Sequence, residues 1–158
     1  MTAPVDSEVL PRLDEHATDI DAAADDVWTA LGTTLDATMS RPWSTVAGEI
    51  LGCADTRASG PRPLAAGSTV PGFRVAGVVP GTLLALEGRH RWSTYALVFR
   101  LERIDGRTRL RAESRATFPG VAGGTYRLLV VGTGGHAAAV RRLLGSVKRR
   151  AERWTTLR

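Results

Sequence analysis

The chain has 158 residues, the size of one domain and long enough to bury a core without disulfides or a structural metal. Apolar residues make up 43% and charged residues 23%, which excludes disordered, fibrous and collagen-like classes. Cys53 is the single cysteine and the net charge is +5, so an internal disulfide and a multi-cysteine zinc site are also excluded.

The charge is unevenly spread. Residues 1–60 hold eleven acids and three Arg, whereas residues 61–158 hold five acids and eighteen bases. Such polarity fits either a basic face for nucleic acid or anionic lipid, or two differently charged parts of one domain lying side by side. The second is expected, because the arginines are spread along strands and helix rather than clustered. Met1–Leu13 has no basic opening and no apolar run, so it reads as an N-terminal extension and not as a signal peptide. Leu128–Val131, the densest apolar stretch, is too short to span a bilayer. A cytoplasmic protein without membrane insertion follows, with one domain over 1–158 and its core over about 14–153.

His16–Ala22 alternates polar and apolar residues and predicts a first strand. A short helix follows, with Asp25 and Asp26 in its first turn, Val27, Trp28 and Leu31 facing the core, and Gly32 as its stop. A second short helix over Ser44–Leu51, after Pro42, is expected to turn Val46, Ile50 and Leu51 inward. Gly60–Gly72, with three Pro and three Gly, reads as a loop. Next come Phe73–Val79, a Pro80-Gly81 turn, Thr82–Arg91, and Thr94–Arg103 with Tyr95, Leu97, Phe99 and Leu101 on one face. After an Asp105-Gly106 turn, Thr108–Phe118 sets Leu110, Ala112, Ser114, Ala116 and Phe118 inward and Arg109, Arg111, Glu113 and Arg115 outward. These runs predict an antiparallel meander.

Pro119–Gly124 ends the sheet, and the remainder reads as one amphipathic helix near 124–153. At about 100° per residue, Tyr126, Leu129, Val130, Thr133, Ala137, Val140, Leu144, Val147 and Ala151 share one stripe. The fold class is therefore α+β. Leu128–Ala137 also imitates a dinucleotide-binding turn, with Gly132, Gly134 and Ala137 spaced as G-x-G-x-x-A. The second parallel strand that this chemistry needs is missing, so the glycines are expected to let a helix pass close to the sheet or bend.

The run Ile20–Leu31, a strand leading into a Val-Trp-x-x-Leu helix, together with Phe99–Leu110 and the closing helix, resembles the START-like (SRPBCC) superfamily. That group includes birch-pollen-allergen-like proteins and polyketide cyclase/dehydrase relatives. The resemblance covers roughly 14–153 and implies a helix-grip fold, a curved antiparallel sheet wrapped around a long C-terminal helix. It also implies a mostly apolar cavity between sheet and helix, and it carries no shared catalytic residue.

Inward parity and the helical stripe converge on Leu86, His90, Tyr95, Leu97, Phe99, Ser114, Tyr126, Leu129, Val130 and Thr133 as the wall of such a cavity. The leading expectation is a small hydrophobic ligand, polyketide- or lipid-like. The alternatives are a cyclase or dehydratase and a protein-interaction module without ligand. For the enzyme, His90 or His136 would supply acid–base chemistry near neutral pH, with Tyr95 or Tyr126 donating to a ligand carbonyl. No metal, cofactor or nucleic-acid partner is expected. His16, His90 and His136 match no metal spacing, no Ser-His-Asp order is visible, and the aromatics fall on the inner face while Arg107, Arg109, Arg111 and Arg115 form a solvated outer one.

Overall fold

The computed structural model describes residues 9–158. Strand β1 (Arg12–Ile20) leads into helices α1 (Ala24–Met39) and α2 (Pro42–Leu51). Strands β2 (Thr69–Val70), β3 (Phe73–Val79), β4 (Leu83–His90), β5 (Ser93–Ile104) and β6 (Arg107–Thr117) follow. Helix α3 (Gly120–Arg127), a π-helical turn over Leu128–Gly132 and helix α4 (Gly135–Thr156) close the chain. The six strands form one antiparallel sheet in the order β1-β6-β5-β4-β3-β2, so the first strand returns to pair with the last. This is the expected α+β helix-grip architecture.

Alternation along the strands sets the two faces of the sheet. Leu86, Phe99 and Leu110 meet Val27, Leu31 and Leu35 of α1 and Val140, Leu144, Val147 and Ala151 of α4 in one core. On the outer face the acidic first strand lies beside the basic last one. Arg109 grips both carboxylate oxygens of Asp19 at 2.6 and 2.9 Å, and Arg111 reaches Glu15 at 3.0 Å and Glu102 at 3.3 Å. Glu113 pairs with Arg115. The charge asymmetry of the sequence is thus partly resolved by cross-strand pairing.

Three expectations about the helices are corrected. Helix α1 does not stop at Gly32 but runs on to Met39, because Thr34 and Leu35 are buried on its inner side. That burial outweighs the cost of about 1 kcal/mol for a glycine inside a helix. Helix α2 presents Ala47, Gly48 and Leu51 inward and leaves Val46 and Ile50 exposed at 55% and 67%. Small residues are needed on that side because α2 walls a cavity. The closing helix is not continuous. Gly134 takes a left-handed φ of 77° between the π turn and α4, a conformation that resets the helical phase and favours glycine. Upstream of that break the stripe no longer holds, whereas downstream it holds as expected. Leu128–Val131 is helical and not a strand, which removes the dinucleotide-binding reading.

Candidate functional site: a cavity under the broken C-terminal helix

A cavity of about 320 Å³ lies between the inner face of the sheet, α2 and the segment from Tyr126 to His136. That volume falls in the range of small-molecule sites, about 300–1,000 Å³. Phe73, Leu97, Ala116 and Phe118 from the sheet, Ala47 and Leu51 from α2, and Val130 and Val131 from the π turn make most of the wall apolar. Polar groups enter at two places, one around His90 and Tyr95 and the other around Ser114 and His136.

The first is an aromatic nest built on a close backbone approach. Gly88 pairs in register with Tyr95, and a Cβ on Gly88 would collide with Gly72 O and with the Tyr95 ring. Only a glycine lets the ring lie flat across the strand there. Tyr95 donates its hydroxyl proton to Gly72 O at 2.6 Å, with Cys53 Sγ 3.9 Å away and the Phe73 ring edge-on at 5.2 Å. Burial pushes the Tyr95 hydroxyl far above its usual range, so it stays protonated. Its donor is therefore committed to the protein, and Tyr95 holds the Gly72 turn instead of addressing a ligand carbonyl as expected.

His90 sits in the same nest, with Tyr126 at 4.7 Å, Tyr95 at 5.5 Å and Trp92 at 6.2 Å between ring centroids. Burial lowers its pKa, so the ring is neutral at pH 7. Its Nδ1 accepts the Trp92 backbone N–H at 3.2 Å, which places the remaining proton on Nε2. His90 is thereby a hydrogen-bond donor toward the cavity, with its basic nitrogen engaged by the Trp92 backbone. Burial also raises the Tyr126 hydroxyl, and among the described residues that hydroxyl has no hydrogen-bond partner.

The second polar place joins three elements. His136, in the first turn of α4, sets Nε2 2.9 Å from Ser114 Oγ on β6 and 3.7 Å from Asp14 Oδ1 on β1. Asp14 Oδ2 meets His16 Nε2 at 3.2 Å, while Oδ1 is buried without a hydrogen-bond partner. Ser, His and Asp do come together here, against the sequence reading. Both partners face the same ring nitrogen, however, so this is not the arrangement that activates a serine nucleophile through a histidine held at its other nitrogen. Among the described residues no group of three His, Cys, Asp or Glu is disposed to hold a metal ion.

Of the ten expected wall residues, His90, Tyr95, Leu97, Ser114, Tyr126 and Val130 line the cavity. Leu86 and Phe99 share the inner face but lie where α1 and α4 fill the space, and both are fully buried in the core. Leu129 is 65% exposed and Thr133 is exposed, because the break before α4 turns them outward. The sequence reading missed Asp14, Cys53, Ser93, Leu51 and Phe73 at or beside the site. Ser93 shares strand parity with Tyr95 and was accessible to the same argument, whereas Asp14 depends on the β1–β6 register and on the approach of α4.

No family model and no curated protein matches the chain. Solved structures do. The Zhui aromatase/cyclase from Streptomyces sp. R1128 is 16% identical at a TM-score of 0.60, over 89% of this chain and 93% of that one. The Aha1 dimer from Colwellia psychrerythraea is 17% identical at 0.54, over 87% and 94%. Ara h 8.0201 is 7% identical at 0.54, over 87% and 95%. At such identities the likeness concerns the fold alone. The topology, the closing helix and these neighbours together show that the chain has the helix-grip fold.

Proposed function

We propose that the chain binds a small, mostly apolar molecule, polyketide- or lipid-like, in the cavity beneath the π turn. The observation that carries this reading is the wall itself, apolar over most of its area, with Nε2–H of His90, the Tyr126 hydroxyl and the Ser114–His136 pair as directed polar groups. Affinity would come mainly from apolar area removed from water, about 25 cal/mol per Å² before the costs of association. The polar groups would orient the ligand. The fold shared with an aromatase/cyclase supports a second reading, an enzyme of cyclase or dehydratase type in the same cavity. Its specific favouring observation is the imidazole of His136 against Ser114 Oγ.

Native mass spectrometry of the purified protein tests the first reading, with Ala47→Phe as the cavity-filling variant. Ala47 lines the site from α2, apart from the core packed between the sheet, α1 and α4, so the ring fills the space without disturbing that core. The expected result is one co-purifying small molecule per chain that is absent from the variant. A ligand retained at equal occupancy in folded Ala47→Phe would overturn the reading.

A further inference from the structure

The geometry points to the Asp14–His136–Ser114 cluster as a proton-accepting end of the cavity, one that takes an aromatic or enolic hydroxyl and holds it as its anion. This rests on the cavity being the ligand site. The cluster is unbalanced in the tautomer whose Nε2 carries no proton and accepts the Ser114 hydroxyl. Its Nε2 lies within hydrogen-bond distance of Ser114 Oγ, at 2.9 Å, while Asp14 Oδ1 stays buried and unsatisfied 3.7 Å away. A buried acceptor left without a donor costs about 1–3 kcal/mol. Placing a proton on Nε2 removes that cost, because the new N–H faces both Ser114 Oγ and the Asp14 carboxylate.

Ser114 gives the proton a route from the cavity. A ligand hydroxyl at Ser114 gives its proton to Oγ, and the proton that Oγ carried passes to His136 Nε2. One ligand O–H bond and one serine O–H bond break, one new bond forms on each of Oγ and Nε2, and the products are a ligand oxyanion and an imidazolium. The other groups around the cluster do not compete for that proton. On β1, His16 already faces Asp14 Oδ2. Arg12 pairs with Glu15, also on β1. On β6, Arg115 and Glu113 pair with each other. His90 has its basic nitrogen engaged by Trp92. Ser114 is the residue that touches the ligand, His136 receives the proton, and Asp14 acts through His136 as a positioning residue.

The matched probes 7-hydroxycoumarin and 7-methoxycoumarin separate this inference from the reading it rests on. Both fit an apolar cavity, but only the first has a proton to give. Absorption titration of the 7-hydroxycoumarin complex reads the phenolate band directly. The expected result is a phenolate midpoint about one pH unit below that of the free dye, equivalent to the anion binding about tenfold more tightly than the neutral form. Asp14→Asn keeps the shape of the side chain and removes its charge, and it should return the midpoint to that of the free dye. A purely structural role for Asp14 would change affinity for both dyes and leave the midpoint where it is in the wild-type complex. Should that variant fail to fold, the comparison of the two dyes on the wild-type protein still decides. Equal binding of both dyes with an unshifted midpoint overturns the inference and leaves the cavity reading standing, whereas no binding of either overturns both.

Discussion

Replacing Gly88 with alanine should damage the site more than its single added methyl group suggests. The new Cβ would overlap Gly72 O and Tyr95 Cε2 and come within 2.6 Å of Tyr95 Cζ. Gly72 O is backbone, and the ring is held by the 2.6 Å hydrogen bond to that same oxygen, so neither can yield alone. Overpacking of this kind costs about 1–3 kcal/mol. Separating Tyr95 from Gly72 adds about 1–3 kcal/mol for a carbonyl left unsatisfied in a partly buried place. The loss should therefore be about 2–6 kcal/mol, against a near-neutral effect for Gly77→Ala, whose added Cβ meets nothing within 4 Å. Urea unfolding followed by tryptophan fluorescence measures both. A Gly88→Ala midpoint equal to that of Gly77→Ala would refute the account of how Tyr95 is seated.

Tyr95→Phe keeps the ring and deletes only the bond to Gly72 O, so it should cost about 1–3 kcal/mol in the same urea assay. His90 has a depressed pKa in the folded chain, so the unfolded chain binds the extra proton first. Its contribution to stability is present above the unfolded value, about 6.5, and declines as pH falls from there toward the lower native value. Chemical denaturation across pH 4–8 should show that slope in the wild type and a reduced slope in His90→Phe. Nitrogen NMR of the imidazole at pH 7 should find the proton on Nε2. Leu35 is fully buried in the part of α1 beyond Gly32, so Leu35→Ala should lose about 2–5 kcal/mol.

The sheet was legible because its signal is local. The strand-like run Phe73–Val79, closed by the Pro80-Gly81 turn, marks β3 to the residue, and the parity that turns Ser114 inward and Arg115 outward needs no knowledge of the partner strand. The closing helix was legible only in part. Its 3.6-residue period holds over Val140–Ala151, but extending it back through Gly132–Gly135 assumes helical backbone exactly where Gly134 leaves it. Helix α2 is legible only in part, since Leu51 lines the cavity as expected, whereas the apolar Val46 and Ile50 lie outside and Ala47 and Gly48 face the cavity in their place. Candidate chemistry was hardest to foresee. Tyr95, His90 and Ser114 all fall on the inner face by parity, but what each can do depends on Gly72, Trp92 and His136, which come from other segments or from the backbone.

The central claim is that the space under the π turn receives a small, mostly apolar molecule. Chemical-shift mapping with 7-methoxycoumarin on the isotopically labelled chain tests it most directly. The account predicts saturable shifts concentrated at Ala47, Leu51, Leu97, Ala116, Val130 and Val131, which line the cavity from four different elements. Leu129 of the π turn and Val121 of α3, both exposed, should scarcely move. Shifts centred on those exposed residues, with the cavity wall unchanged at saturation, would contradict the account.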